Sequence, residues 1–518
     1  MARSSMSAEL PLQINKDSTV SLPSQIAEQV RTHILNRTLA PGDALPATRV
    51  LADRLGISRG SVVAAYEQLT GEGYVSSDTG GTKVSADLAQ IDSRVEGGEP
   101  IRPPQPSPHT RPIPQRMPTR ENIDLRPGTP DTSALATSAW RAAWRSAVGD
   151  PGHMYPAAGS PALQAQLSEH LRLMRSVVRE PETIMVTAGA RDAFRLVLSA
   201  LRRQIHDRPL RIAVENPGYP SLHKIPATFG HEIMPIPVDE HGLNPAFLPC
   251  ENGPDVVLVA PSHQYPLGAS MPVGRRLELL NWAADNNAFI VEDDYDSELR
   301  YGGDPLPALA ALARSGADES TEQGAEANRL DRVMTLGSFA KTVSPGLGLG
   351  FLVAPASLKS ALWDLRADLG SPVSAVVQDA MTNFMAEGGV RRHIARMRRV
   401  YLGRRNLLLF TLESEEIPAW VRILPMDGGL HVALEFSGEY ATAQTERRVL
   451  EIAETSGVLV GALGDYWAHT DETDTERSFG LVVGFGGVND RVLRRGLHLL
   501  AVALKQVQTE HAEHEKPE

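Results

Sequence analysis

The sequence has a single cysteine, no long apolar run and no excess of positive charge. Cys250 has no disulfide partner within the chain and no neighbouring metal ligands, so we expect a packing residue, no disulfide and no metal site. No apolar stretch approaches the roughly 20 residues that span a bilayer. The start, MARSSMSAELPLQINKDS, lacks the apolar core of a secretory signal. We therefore expect a cytoplasmic chain with no membrane partner.

Length and composition predict several ordinary globular domains. The chain has 518 residues, and this length exceeds the usual size of one domain. Of these residues 42% are hydrophobic and 22% are charged, as in ordinary globular proteins. The net charge is −12, but residues 1–86 contain eight Lys/Arg and eight Asp/Glu, so this first segment is neutral. Recognition of a polyanion by this segment must therefore depend on particular residues and not on bulk charge.

The first segment, residues 1–86, shows the pattern of three helices followed by a hairpin. LPSQIAEQVRTHILNR carries apolar residues at four-residue spacing, which predicts a first amphipathic helix. A second helix begins near Thr48 and stops at Gly56, and Ser58 is a capping residue for a third. YVSSDTGGTKVS alternates around a Gly-Gly turn, as a hairpin does. This order predicts a winged helix-turn-helix whose third helix is the reading element.

The stretch LPATRVLADRLGISRGSVVAAYEQLTGEGY, from Leu45 to Tyr74, resembles the GntR group of winged-helix repressors. A helix of this kind places its first turn against base edges and phosphates of operator DNA. The candidate DNA-binding residues are Arg49, Ser58, Arg59 and Ser61, with Gly81 and Lys83 of the hairpin directed at the minor groove. A neutral head offers few phosphate contacts, so we expect a dimer that holds two heads on two half-sites.

A Pro-rich, polar linker is expected at residues 87–122, and a second unit at 123–510, followed by a disordered tail at 511–518. Helical segments alternate with short β-rich runs such as TIMVTAG, RIAVEN, DVVLVAP, AFIVEDDY and RVMTLGS. The alternation predicts an α/β body with a mostly parallel sheet flanked by helices.

Several residues at the ends of these runs suit a phosphorylated pyridine cofactor. Lys341 follows a strand, where a lysine can form a Schiff base, and Asp293 ends a strand, where a carboxylate can pair with a pyridine nitrogen. Gly189 and Ala190 open a helix whose N-terminus can face a phosphate. The remaining candidates are Ser338 as a phosphate ligand, Tyr219 as a stacking residue, Tyr295 as a partner of the ring hydroxyl and His263 as a polar neighbour.

The segments ENPGYP, PSHQYPLGASMP, EDDYDSELRY, SFAKTVSPGL and GGLHVAL are similar to those of the MocR subfamily of GntR regulators, over residues 10–505. The resemblance implies a fold-type I aminotransferase-like body with a small C-terminal α/β domain, usually a head-to-tail homodimer. It also implies pyridoxal 5'-phosphate as the cofactor, with Lys341 as the Schiff-base lysine, Asp293 as the pyridine partner and Tyr295 as the O3′ partner.

The sequence departs from this family pattern in three places. Gly348 stands where the family usually has an arginine that holds the cofactor phosphate, and Ala340 stands where a serine is common. Leu481 and Val482 occupy the stretch where aminotransferases carry the arginine for a substrate carboxylate, and nearby Arg477 is expected at an exposed strand edge. These departures weaken the phosphate contact and argue against transamination.

Three hypotheses follow. The body senses a metabolite as pyridoxal phosphate or an adduct of it, with no catalytic turnover; or it is a working aminotransferase; or it is a cofactor-free dimer scaffold. The small-molecule effector is an amino acid adduct, an amine or the cofactor itself. The missing carboxylate arginine favours the cofactor as its own effector, with vitamin B6 synthesis as the regulated process.

Overall fold

The structure is a computed structural model, which describes residues 10–78, 81–86, 122–150, 154–205, 208–301, 307–315, 331–468 and 477–514. Two compact units meet in sequence between residues 115 and 116, and we describe each by itself. The expected linker at 87–122 falls outside the described residues except for Asn122, so its bounds stay a prediction. None of the helices in these ranges has the length and apolar character needed to cross a membrane.

The N-terminal unit contains the three helices and the hairpin that the sequence predicts. They are α1 (Leu22–Leu35), α2 (Thr48–Leu55), α3 (Arg59–Gly71), β1 (Val75–Asp78) and β2 (Gly81–Val84). The two strands pair antiparallel, and α1 and α3 pack through the apolar stripes that set their spacing. Gly56 ends α2 in the left-handed region at φ +61°, and the Ser58 hydroxyl accepts a hydrogen bond from the Ser61 N–H to cap α3.

The body is built on an eight-stranded sheet with helices on both faces. Its strands, from one edge to the other, are β4 (Ile184–Thr187), β11 (Gly350–Val353), β10 (Val333–Ser338), β9 (Phe289–Asp294), β8 (Val256–Val259), β5 (Arg211–Asn216), β6 (Glu232–Asp239) and β7 (Gly242–Leu243). The central pairs are parallel, whereas β11 and β7 run antiparallel to their neighbours. This arrangement confirms the mostly parallel sheet.

Alternate residues of the central strands enter two different cores. Val257, Val259 and Ile290 belong to the core on one face, whereas Leu258 and Val291 belong to the core on the other. A sheet that is covered on both faces requires such continuous apolar runs, because every side chain is buried. Polar side chains are consequently concentrated at the strand ends.

A smaller domain follows in the chain. Its sheet has the order β12 (Val421–Ile423), β13 (His431–Phe436), β16 (Gly480–Gly484) and β15 (Gly461–Ala462). A separate parallel pair joins β3 (Ile123–Asp124) to β14 (Val458–Leu459), which ties the first described residues of the body to the C-terminal domain.

The helices of the body pack on these sheets and connect the two domains. They are α4 (Ser138–Val148), α5 (Pro161–Arg175), α6 (Ala190–Gln204), α7 (Pro220–Thr228), α8 (Val273–Asp285), α9 (Leu309–Ser315), α10 (Ala356–Leu369), α11 (Ala375–Ala386), α12 (Gly389–Ser414), α13 (Ala443–Thr455) and α14 (Asp490–His514). Helix α12 buries Val390, Ile394, Met397 and Tyr401 along one face, as its spacing predicts.

Two expectations are corrected. Helix α14 continues to His514, four residues into the segment expected to be a disordered tail, since the polar residues there extend its last turn; residues 515–518 lie outside the described range. Cys250 is exposed and not a buried packing residue, because it lies in a surface loop after Pro249.

In the N-terminal unit we predict that Tyr66→Phe destabilises the packing of α3. The buried Tyr66 hydroxyl donates a hydrogen bond to the Pro46 carbonyl oxygen at 3.0 Å, which links α3 to the turn before α2. Its loss should lower the free energy of local opening by about 1 kcal/mol. Hydrogen exchange of the α3 amides in the full chain measures this, with Tyr74→Phe as the matched control. Equal protection in both variants would contradict the prediction.

Candidate cofactor site

A cavity of about 310 Å³ lies at the carboxyl ends of the central parallel strands. Fifteen residues line it: Ala188, Gly189, Ala190, Arg191, Tyr219, Leu222, Tyr265, Asp293, Tyr295, Ser338, Ala340, Lys341, Pro345, Gly348 and Leu349. The structure thus brings together seven of the eight predicted cofactor residues, with His263 as the exception. Their roles toward a cofactor stay predictions, but their convergence at one strand edge agrees with them.

Lys341 is held by a residue that sequence reasoning missed. Its Nζ donates a hydrogen bond to the Gly128 carbonyl oxygen at 2.8 Å. Gly128 has φ +95°, and a Cβ added there would lie 2.6 Å from the lysine Nζ, so this approach requires glycine. The Pro-Gly-Thr-Pro run around it was the available signal, since it marks a turn.

Asp293 is a buried carboxylate with an unsatisfied acceptor. Its Oδ1 has no hydrogen-bond partner in the part of the chain that the structure describes. Burial and the nearby Asp294 and Asp296 raise the pKa of Asp293 to about 7, although Lys341 opposes the rise. A cationic N–H on a ring in this cavity would satisfy the acceptor and favour its ionised form, so Asp293 fits a protonated pyridine nitrogen.

Tyr295, His263 and Asp296 form a buried chain behind the ring end of the cavity. The Tyr295 hydroxyl donates to the His263 carbonyl oxygen at 3.0 Å, and it also lies 3.0 Å from Nδ1 of that histidine. Nδ1 of His263 lies 2.8 Å from Oδ2 of Asp296. Burial raises the pKa of Tyr295 well above its ordinary value, which keeps the phenol protonated. His263 is therefore joined to the cavity through Tyr295, which lines the wall, and its own role toward a cofactor stays a prediction.

The opposite end of the cavity is formed by the start of α6 and by the loop after β10. Gly189 precedes α6 at φ +96°, so the first amides of this 15-residue helix face the cavity. The Ser338 hydroxyl accepts from the Ala340 N–H at 3.1 Å. Gly348 has φ +53°, and a Cβ there would meet no atom within 4 Å, so the space of the missing arginine side chain is open. The geometry suits a phosphate but lacks that guanidinium.

Aromatic side chains cover the cavity. The Tyr219 and Tyr265 rings meet edge to face with centroids 5.1 Å apart, and Tyr265 contacts Tyr466 at 5.4 Å. Burial opposes ionisation of Tyr219, but Lys341, Ser221 and Arg191 outweigh it and lower its pKa. The sequence predicts that the backbone N–H of Arg191, like that of Ala190, faces a phosphate, but it assigns no role to the Arg191 side chain, which lines the wall. The available signal was a cationic side chain directly after the helix-opening Gly189-Ala190.

The substrate-carboxylate position has no arginine in the described structure. Leu481 and Val482 of β16 are fully buried. Arg477 is half-buried, and not exposed as expected, because it donates to the Gly464 carbonyl oxygen at 2.7 Å and stacks over Phe479. Among the described wall residues of the cavity, Arg191 at the phosphate end is the one arginine.

In the N-terminal unit the predicted DNA-binding residues lie on three elements: Ser58, Arg59 and Ser61 at the start of α3, Arg49 in α2, and Gly81 and Lys83 in β2. Arg49, Ser58 and Arg59 are exposed, and Arg59 Nε donates to the Thr48 hydroxyl at 3.3 Å. The Ser58 and Ser61 hydroxyls are 2.8 Å apart, so part of their hydrogen-bonding capacity serves the cap. Gly81 begins β2 at φ +112°, and Lys83 pairs with Ser76 across the hairpin. Contact of these residues with DNA stays a prediction.

Comparison with known proteins identifies both units. Residues 22–84 match the family model for "Bacterial regulatory proteins, gntR family". The HTH-type pyridoxine biosynthesis transcriptional regulator PdxR of Corynebacterium glutamicum is 40% identical over 491 residues, which cover 94% of this chain and 97% of that protein. The probable rhizopine catabolism regulatory protein MocR of Rhizobium meliloti is 31% identical over 518 residues, 97% of each chain.

Solved structures confirm the fold of the body. The α-aminoadipate aminotransferase LysN of Thermus thermophilus superposes with a TM-score of 0.64 at 22% identity and covers 76% of this chain and 94% of its own. An archaeal alanine:glyoxylate aminotransferase gives the same TM-score at 20% identity, over 74% of this chain and 91% of its own. The body therefore has the predicted aminotransferase-like fold.

We predict that Gly128→Ala abolishes tight cofactor binding. The added methyl group would strain a left-handed backbone and collide with Nζ of Lys341, which displaces the lysine from its position. The affinity for pyridoxal phosphate should fall at least about tenfold, because strain of about 1–3 kcal/mol in the Gly128 turn moves Nζ from the position from which the lysine reaches the cofactor. Equilibrium absorption titration measures it. Gly230→Ala, at φ +73° with open space around its Cβ, is the control for backbone strain alone.

The raised pKa of Asp293 predicts a pH-dependent effect of Asp293→Asn on the cofactor-free protein. The folded state favours the protonated form of Asp293. The free energy of unfolding of wild type therefore falls as the pH rises from about 4, the pKa of Asp293 in the unfolded chain, to about 7, its pKa in the folded protein, and it is constant at higher pH. The asparagine variant lacks this loss and should be more stable by about 2–4 kcal/mol at pH 8, with no advantage at pH 4. Denaturant titrations at both pH values test this, and parallel wild-type and variant curves would refute it.

Proposed function

Since this chain belongs to the MocR subfamily of GntR-type transcription regulators, we propose that its aminotransferase-like body binds pyridoxal 5'-phosphate and that this cofactor is itself the regulatory signal. The regulated process would then be vitamin B6 synthesis. The 40% identical relative from Corynebacterium glutamicum is a pyridoxine biosynthesis transcriptional regulator, which supports this assignment.

One observation carries the choice of effector: the cavity keeps the ring-end residues and lacks a carboxylate clamp. Lys341 and the unsatisfied Asp293 fit an aldehyde and a pyridine nitrogen, whereas Val482 and the engaged Arg477 leave no arginine for an amino acid carboxylate. When bound, pyridoxal phosphate supplies an aldehyde that reacts with a lysine amine. An amino acid substrate would bring a carboxylate whose charge these described residues do not compensate, which argues against a working aminotransferase.

Lys341 also offers a route by which binding is communicated. Its Nζ bond to Gly128 holds the segment that follows β3, and this segment is the first described part of the body after the linker region. Asp131, at the far end of the segment, is held by Arg404 at 2.7 Å and by the Tyr401 hydroxyl. When Lys341 turns to the cofactor, it releases the Gly128 oxygen. The segment from Gly128 to Asp131 then loses one of the two contacts that fix its ends. Regulation requires that the affinity for the cofactor differs between two states of the protein, one with Gly128 held by Lys341 and one with Gly128 released.

We further propose that the active species on operator DNA is a homodimer of bodies in head-to-tail arrangement. The N-terminal unit has no net charge, so a single head gains little from phosphate contacts. Two heads joined by a dimer bind two half-sites with a high effective concentration.

The test is a comparison of wild type with Lys341→Ala, with Lys359→Ala on the outer surface of α10 as the control. Addition of pyridoxal phosphate should change the near-ultraviolet and visible absorption of wild type and control but leave Lys341→Ala as a simple sum of its components. The cofactor should also change the affinity of wild type for DNA upstream of pyridoxine synthesis genes by about 5- to 150-fold, the usual range of allosteric coupling.

The other outcomes separate the competing functions. No spectral change in wild type would mean that the body is a cofactor-free scaffold. An unchanged response in Lys341→Ala would remove this lysine from the site. Conversion of an amino acid to its keto acid by wild type with the cofactor would identify a working aminotransferase.

A further inference from the structure

The charge of the cofactor phosphate needs a cation to compensate it, and the glycine at position 348 does not supply the arginine that the family pattern has there. Gly348 places only a hydrogen atom on that wall, in open space. The Ser338 hydroxyl already accepts a hydrogen bond from the Ala340 amide, so it has to donate to bind an anion. A phosphate monoester carries up to two negative charges, which in a half-enclosed cavity require a cation as well as amide donors.

The cavity wall offers two cations among its described residues, Lys341 and Arg191. Lys341 is bound to Gly128 at the ring end, where the unsatisfied oxygen of buried Asp293 also lies. Lys341 and Asp293 therefore orient the cofactor so that its phosphate lies toward the start of α6. Arg191 stands in the first turn of that helix, beside the free amides.

The neighbouring charges leave Arg191 available. Asp192, the next residue, is engaged by Arg366 at 2.8 Å and by Arg195 at 3.0 Å, and it accepts from the Ala188 amide. Arg191 lies close enough to the Tyr219 hydroxyl to lower the pKa of that phenol, so its guanidinium reaches over the cavity and not away from it. Arg366 and Arg195 thus neutralise the local acid, and Arg191 faces the cavity.

We propose that the Arg191 guanidinium binds the phosphate of the cofactor and takes the place of the arginine that Gly348 lacks. The phosphate is then held by one charged side chain from the start of α6 together with the first amides of the same helix. This inference rests on the proposed function, because it assumes that the cavity accepts pyridoxal phosphate.

The experiment compares two ligands that differ only in the phosphate, pyridoxal phosphate and pyridoxal, in absorption titrations of the full chain. Arg191→Gln should weaken binding of pyridoxal phosphate by about 10- to 100-fold and leave the affinity for pyridoxal unchanged, since one charged hydrogen-bonding contact is lost. Arg191→Lys should recover part of the loss. Arg203→Gln, in the last turn of α6 and half exposed, is the matched control and should bind both ligands as wild type does.

The outcomes distinguish this inference from the proposed function. If wild type binds neither ligand, the proposed function itself is wrong. If wild type binds pyridoxal phosphate and Arg191→Gln binds it equally well, the role of Arg191 is refuted. If Arg191→Gln loses affinity for both ligands alike, as Tyr219→Leu should because it removes the ring contact, Arg191 positions Tyr219 and does not hold the phosphate, which also overturns the inference.

Discussion

The large sheet is buried on both faces, and this constraint determines where the site lies. Strands β8, β9 and β10 have helices on either side, so their middle residues are apolar and enter one core or the other. Unpaired polar groups are tolerated only where the strands end and the chain reaches a cavity or solvent. The carboxyl edge therefore collects Asp293, Ser338 and Lys341, and the N-terminus of α6 arrives at the same edge because it follows β4.

The acidic run EDDYD illustrates how strand alternation sorts similar residues into different roles. Glu292 points to one face, where the Leu309 amide and the Thr335 hydroxyl satisfy it, and Asp294 follows on that face in an ion pair with Arg175 at 2.7 Å. Asp296 binds His263. Asp293 points to the other face and keeps an unsatisfied oxygen toward the cavity. Oδ1 of Asp294 is also without a partner among the described residues, but of these four carboxylates only Asp293 lines the cavity. The raised pKa of Asp293 records the cost of burying it unpaired.

The two ends of the cavity differ in how far they keep the family pattern. The ring end has its lysine, its acid and a protonated tyrosine in contact with His263. The phosphate end has exchanged a guanidinium at position 348 for a glycine and presents Arg191 instead. In the proposed arrangement the positive charge for the phosphate comes from a helix terminus instead of a loop, and the aligned amides of that terminus add to it.

The sequence by itself determined the three helices and hairpin of the head and the α/β character of the body, because these depend on apolar periodicity and caps. Residues at strand ends and helix starts pointed to seven wall residues of the cavity, and the family resemblance implied the aminotransferase-like fold. The sequence did not reveal Gly128, whose contact with Lys341 joins residues 213 positions apart. It named His263 as a polar neighbour of the ring but did not show that His263 meets the hydroxyl of Tyr295. It expected Arg477 at an exposed strand edge, whereas Arg477 is half-buried against Gly464 and Phe479. Local patterns fix which face of an element is buried, but only the tertiary structure decides which distant groups meet on that face and which of them remain unpaired.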